Sequence, residues 1–147
     1  MSIKIRRSAG ATWRGSVDGG GGTIALGSGA FSGPYSLRSR VGSDPHTNPE
    51  ELIGAGHAGC FAMSLANLVA KAGYTATEIS ASSQVTLEKV EGQYALTRIA
   101  LTAVGDVPGI EEGEFLRLAS EAKATCPVSR ALAGVEITLD AKLGAPA

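Results

Sequence analysis

The chain has 147 residues, 44% of them apolar and 18% charged, with a formal net charge of −1. That length bounds one ordinary domain, residues 1–147, able to bury a core without disulfide staples. A near-neutral charge with no basic stripe argues against nucleic acid as a partner, and Lys4, Arg6 and Arg7 lack the apolar run that would follow them in a signal peptide.

Residues 1–47 read as strands and turns. SIKIRRSAGATWRGSV carries β-branched and aromatic residues, DGGGG (18–22) breaks it as a hairpin turn, and TIALGSG resumes the strand. A glycine run can also cradle phosphate, but such a loop opens a helix, and TIALGSG reads as strand. GPYSLRSRV (33–41) reads as a third strand, with Leu37, Ser39 and Val41 alternating against Arg38 and Arg40. GSDPHT is a loop.

A long helix follows, with clear punctuation. Asn48 is a good N-cap, Pro49 suits the first helical position and Glu51 stands where a capping box has its acid. Glu50 and Glu51 complement the positive end of the helix dipole, Lys71 the negative end, and Gly73 is the expected C-cap. The helix is predicted over 49–72, about 36 Å long. It is uncharged from Leu52 through Ala70. That is long enough to span a membrane, but its large apolar residues are diluted by Gly54, Gly56, His57, Gly59, Ser64 and Asn67. It is read as the core helix of a soluble, cytoplasmic protein.

Residues 77–107 read as a long hairpin turning at EGQ. Residues 111–126 show a helical period through Phe115, Leu116, Ala119 and Ala122. Pro127 opens a short helix ended by Gly134, and VEITLDAKL (135–143) alternates as a strand. Strands, a long helix, two strands, helices and a last strand make an α+β fold with antiparallel pairing. A helix apolar nearly all round must be covered nearly all round, and one small sheet covers one face. The equivalent helix of a second subunit would cover the other, with Gly54, Gly56 and Gly59 allowing close approach. Alternatively those glycines pack on the chain's own sheet. The homodimer is the favoured expectation.

Cys60 sits inside this helix and Cys126 far along the chain. Four readings compete: small buried hydrophobes; a metal site using His57, Cys60, Cys126 and His46, although no Cys-x-x-Cys is present; a structural disulfide, disfavoured in a reducing compartment; and a redox pair. With the metal reading disfavoured, His57 reads as a core residue. The redox reading needs an activated thiolate, and burial opposes one. Arg40, permanently charged and just ahead of the helix, is the leading stabiliser, and Glu50 could hold it by a bidentate contact. Glu50 and Cys60 lie about 15 Å apart along a straight helix. Unless the arginine bridges most of that gap, Arg40 and Glu50 are expected to serve the Cys60 of the other subunit. Cys126, just before Pro127, is placed to cap the short helix, where dipole and free N–H groups favour a thiolate.

TNPEELIGAGHAGCFAMSLANLVAKAGY, VPGI, KATCPVSRALAGVEITLDAKL and PYSLRSRVG, with GGGGT and TWRG nearby, resemble the OsmC branch of the OsmC/Ohr family of thiol peroxidases over essentially the whole chain. The resemblance implies an OsmC-like α+β fold: an intertwined homodimer with antiparallel sheets around central long helices. It implies a cysteine peroxidase that reduces organic hydroperoxides, and hydrogen peroxide less efficiently, with no cofactor or metal. By matching positions it makes Cys60 the peroxidatic thiol, Cys126 the resolving one, Arg40 the group stabilising the Cys60 thiolate and the peroxide, and Glu50 the residue positioning Arg40. The Ohr branch draws its arginine from an earlier strand, where Arg14 stands here. An external dithiol, with lipoyl groups among the candidates, would reduce the disulfide. A redox sensor and a hydrophobic-ligand binder are the rival functions.

Overall fold

The computed structural model describes residues 2–144, and the chain divides after Pro49 into two compact units. In the first unit β1 (Ala9–Arg14), β2 (Gly21–Leu26) and β3 (Ser32–Tyr35) form an antiparallel sheet in that order. The glycine run does turn a hairpin, but Gly21 and Gly22 already belong to β2. Gly22 is required there by close approach. A Cβ at this position would collide with the Thr12 carbonyl and the rings of Trp13 and Tyr35, which meet edge-on with centroids 5.4 Å apart.

The third strand ends earlier than its sequence pattern suggests. Leu37–Val41 is a short helix, α1, so Arg40 stands on a helix rather than a strand. The cause is a capping box made by two serines. Ser36 Oγ accepts from the Ser39 N–H at 3.2 Å, and Ser39 Oγ accepts from the Ser36 N–H at 2.9 Å. The Ser39 hydroxyl also donates to the Thr47 carbonyl at 2.7 Å, and Asn48 Nδ2 donates to the Ser39 carbonyl at 3.2 Å. These bonds tie the following loop to α1.

The second unit is built around α2 (Pro49–Lys71). Its buried residues are Glu50, Gly54, His57, Phe61, Leu65 and Val69, one stripe at helical spacing. The hairpin of β4 (Glu78–Val90) and β5 (Gln93–Asp106) turns through Glu91 and Gly92, both at positive φ as a two-residue hairpin loop requires. α3 (Glu112–Thr125) and α4 (Pro127–Ala131) then lead to β6 (Glu136–Leu143). β6 pairs parallel to β5, not antiparallel as expected from the order of elements. The reason is the connection: α3 and α4 form a crossover long enough to carry the chain back to the starting end of the sheet.

Phe61, Leu65 and Val69 enter a core with Leu101, Ala103, Val107, Phe115 and Leu118. This stripe is what α2 buries in its own chain. Its opposite side stays open, with Met63 76% exposed. The helical glycines divide accordingly. A Cβ on Gly54 would lie 3.4 Å from the Ser83 carbonyl and 3.5 Å from Val85, whereas Gly56 and Gly59 meet nothing within 4 Å. By length and composition α2 could cross a membrane, but its buried stripe joins it to this core.

Gly105 shows how tightly the core is filled, because a Cβ there would overlap the Phe115 ring. Gly105→Ala should therefore destabilise the fold by about 1–3 kcal/mol through overpacking. Urea unfolding should show a lower midpoint at an unchanged slope.

Candidate active site

Cys60 precedes Phe61 of the buried α2 stripe, and its place at the edge of that stripe leaves it partly exposed. Cys126 is fully buried at the junction of α3 and α4, ending one helix and capping the next. Pro127 explains that junction. It holds the preceding residue in extended geometry (φ −53°, ψ 129°) and starts α4 at its own position. The Cys126 N–H closes the last turn of α3 on the Ala122 carbonyl at 2.9 Å, and its carbonyl accepts the first bond of α4, from the Arg130 N–H at 3.0 Å. The result is a fixed thiol facing α2. Although 66 residues apart in sequence, the two Sγ atoms lie 3.0 Å apart, both as free thiols joined by a hydrogen bond.

The two thiols are not equivalent. Burial, followed by the adjoining Cys126 group, pushes the Cys60 thiol up, despite hydrogen bonds from the Val128 backbone and Ser64. Burial also opposes ionisation of Cys126. There it is outweighed by hydrogen bonds from the Cys60 thiol, from the backbone and hydroxyl of Ser129 and from the Val128 backbone, which together hold Cys126 below the ordinary thiol value. Within one chain, the surroundings of the pair thus favour ionisation of Cys126 and oppose that of Cys60. A cationic group outside this set is needed to make Cys60 the stronger acid.

His57 is fully buried, as expected of a core residue, and its Nε2 lies 2.7 Å from Ser129 Oγ. Burial lowers its pKa and keeps the imidazole neutral. Ser129 was not apparent as a site residue from the sequence. The available signal was its position in the first turn of a helix capped by Cys126, where a hydroxyl can turn back to the cap.

Arg40 lines a cavity of about 350 Å³ within the first unit, with Trp13, Tyr35, Leu37 and Pro49 among its walls. It sets a permanent positive charge beside aromatic and aliphatic surface. Glu50 is buried in the first turn of α2, about 15 Å from Cys60 along the axis. Arg40 and Glu50 both have partners in the chain. Arg14 is exposed at the end of β1. His46 pairs with Asp44 at 3.3 Å. Among the described residues no group of three or more His, Cys, Asp or Glu side chains could hold a metal ion.

Residues 42–140 match the family of OsmC-like proteins. The chain is 43% identical to Peroxiredoxin OsmC of Escherichia coli (strain K12), over 96% of this chain and 99% of that one. It is 33% identical to the organic hydroperoxide resistance protein OhrA of Bacillus subtilis (strain 168), over 64% of this chain and 66% of the relative. Among solved structures it resembles an organic hydroperoxide resistance protein from Elizabethkingia anophelis, with a TM-score of 0.76 and 26% identity over 97% of this chain and 100% of the other.

Proposed function

The chain belongs to the OsmC-like protein family and is a cysteine-based peroxidase, and we propose that it reduces organic hydroperoxides, and hydrogen peroxide less efficiently, with Cys60 as the attacking thiol and Cys126 as the resolving one. The observation that carries this reading is the 3.0 Å approach of a partly exposed thiol to a fully buried one. Peroxide has access to Cys60, and the oxidised sulfur is then already in reach of its partner.

In the first step the Cys60 thiolate attacks the terminal peroxide oxygen. The O–O bond breaks, the alkoxide leaves and takes a proton to become the alcohol, and Cys60 becomes a sulfenic acid. In the second, Cys126 attacks that sulfur, the S–S bond forms and the hydroxyl leaves as water. The electrons of two thiols have then reduced one peroxide. An external dithiol, with lipoyl groups among the candidates, resets the pair by exchange. The electrostatics of the pair suit this division. A sulfur held below the ordinary thiol value ionises more readily for the second step, and it is the better leaving group when the dithiol attacks Cys60.

Arg40 supplies the cation that Cys60 lacks in the pair, stabilising its thiolate and the departing oxygen, and Glu50 positions Arg40. The enzyme is a cytoplasmic homodimer in which the open side of α2, with Gly56, Gly59 and Met63, meets the same side of a second copy. Arg40 and Glu50 then act on the partner subunit, which the spacing along α2 favours. The one-domain chain is the repeating unit of that dimer.

With excess dithiol, the wild-type protein should consume many equivalents of an alkyl hydroperoxide. Cys126→Ser should consume one and then stall as sulfenic or overoxidised acid. A wild-type protein that stops after one equivalent is a redox sensor. A hydrophobic-ligand binder would consume none and would retain its ligand without either cysteine.

A further inference from the structure

His57 is a buried titratable group on α2 that the cycle above does not use. Its Nε2 is 2.7 Å from Ser129 Oγ, while its Nδ1 is buried with no hydrogen-bond partner. A neutral imidazole carries one proton. A buried N–H left without an acceptor is costly and rare, whereas an unused lone pair is tolerated more readily. The proton therefore belongs on Nε2, and Nε2–H donates to Ser129 Oγ. A hydroxyl has one proton of its own. With its oxygen already accepting from His57, Ser129 is free to direct that proton to Cys126, the residue that caps its own helix and whose ionisation its hydroxyl favours.

We propose that His57 is a positioning residue for Cys126, acting through Ser129: the chain Nε2–H to Oγ–H to Sγ runs in one direction and ends on the resolving sulfur. The geometry requires α2 and α4 to be in register, since His57 and Cys60 come from one and Ser129 from the other. The same helix thus presents both the thiol to be resolved and the imidazole that prepares its partner. Among the described residues, Cys60 and His57 on α2 are titratable groups that bond to this turn, and α4 adds its backbone and the Ser129 hydroxyl.

The catalytic consequence rests on the peroxidase reading, but the direct test does not. In Cys60→Ser protein, the Cys126 thiolate is titrated by its ultraviolet absorbance. Adding His57→Leu or Ser129→Ala should move that titration to higher pH, and His57→Gln, which keeps an N–H donor near the Nε2 position, should restore much of it. In protein with both cysteines, His57→Leu should slow conversion of sulfenic acid to disulfide about tenfold at pH 7, the loss expected for one hydrogen bond to a charged group. A His57→Leu protein of lowered thermal stability whose Cys126 titration is unchanged would overturn the proposal and leave His57 a packing residue. If that variant does not fold, Ser129→Ala decides: an unchanged titration overturns the proposal equally. A titration that moves as expected in a protein that consumes no hydroperoxide would support the relay and defeat the peroxidase reading.

Discussion

Cys60→Ser should abolish even the first turnover, lowering hydroperoxide consumption at least about a thousandfold, to the uncatalysed background. A serine hydroxyl in the same place is neither ionised at neutral pH nor able to become a sulfenic acid. The expectation is exposed to failure because of what one chain shows by itself. Cys60 is the thiol whose ionisation is disfavoured, and Cys126 is the one held below its ordinary value. If acidity alone chose the nucleophile, Cys126 would attack peroxide. The assignment of Cys60 rests instead on access: Cys126 is fully buried, while Cys60 is partly exposed. A stopped-flow burst of alcohol product from Cys60→Ser, with none from Cys126→Ser, would reverse the roles.

Arg40→Ala should lower kcat/KM for an alkyl hydroperoxide about a hundred- to a thousandfold, the usual loss when a charge-stabilising donor is removed from the transition state. The sign with pH follows from the thiol. Removing the cation should raise the Cys60 pKa further, each unit removing about 1.4 kcal/mol of preference for the anion. At neutral pH the thiolate fraction therefore falls, and the rate should partly recover as pH rises. Arg40→Lys should recover only a part, because a point charge on a flexible stem does not reproduce a planar, bidentate guanidinium. A pH–rate profile of Arg40→Ala superimposable on wild type would remove Arg40 from the mechanism.

Local chemistry made α2 readable in advance. Pro49, the two following glutamates, Lys71 and an uncharged run between them specify both its ends and its buried character, and the helix ends at Lys71, within a residue of expectation. The segment 33–41 misled because α1 is only five residues long. A run that short satisfies a period of 2 as easily as one of 3.6, and the deciding signal was the Ser36-x-x-Ser39 box. The direction of β6 could not be read from its own alternation, since that pattern is the same for parallel and antiparallel pairing. It depends on where α3 and α4 carry the chain.

The candidate site divides in the same way. That each cysteine lay in or beside a helix was legible, as was the capping position of Cys126 before Pro127. Their mutual approach was one of several open readings of the residues, selected only by family resemblance, because it depends on α3 ending where it faces α2. His57 was legible as a core residue but not as a partner of Ser129, a contact between residues 72 positions apart. Nothing in either residue's neighbourhood announces it.

The central claim is that Cys60 and Cys126 form one redox pair that peroxide closes. Intact mass of the reduced protein after one equivalent of an alkyl hydroperoxide tests it most directly. The wild type should lose two hydrogens, and Cys126→Ser should instead gain one oxygen. A wild-type protein that gains oxygen without losing hydrogens, or keeps its reduced mass while the hydroperoxide remains, would contradict it.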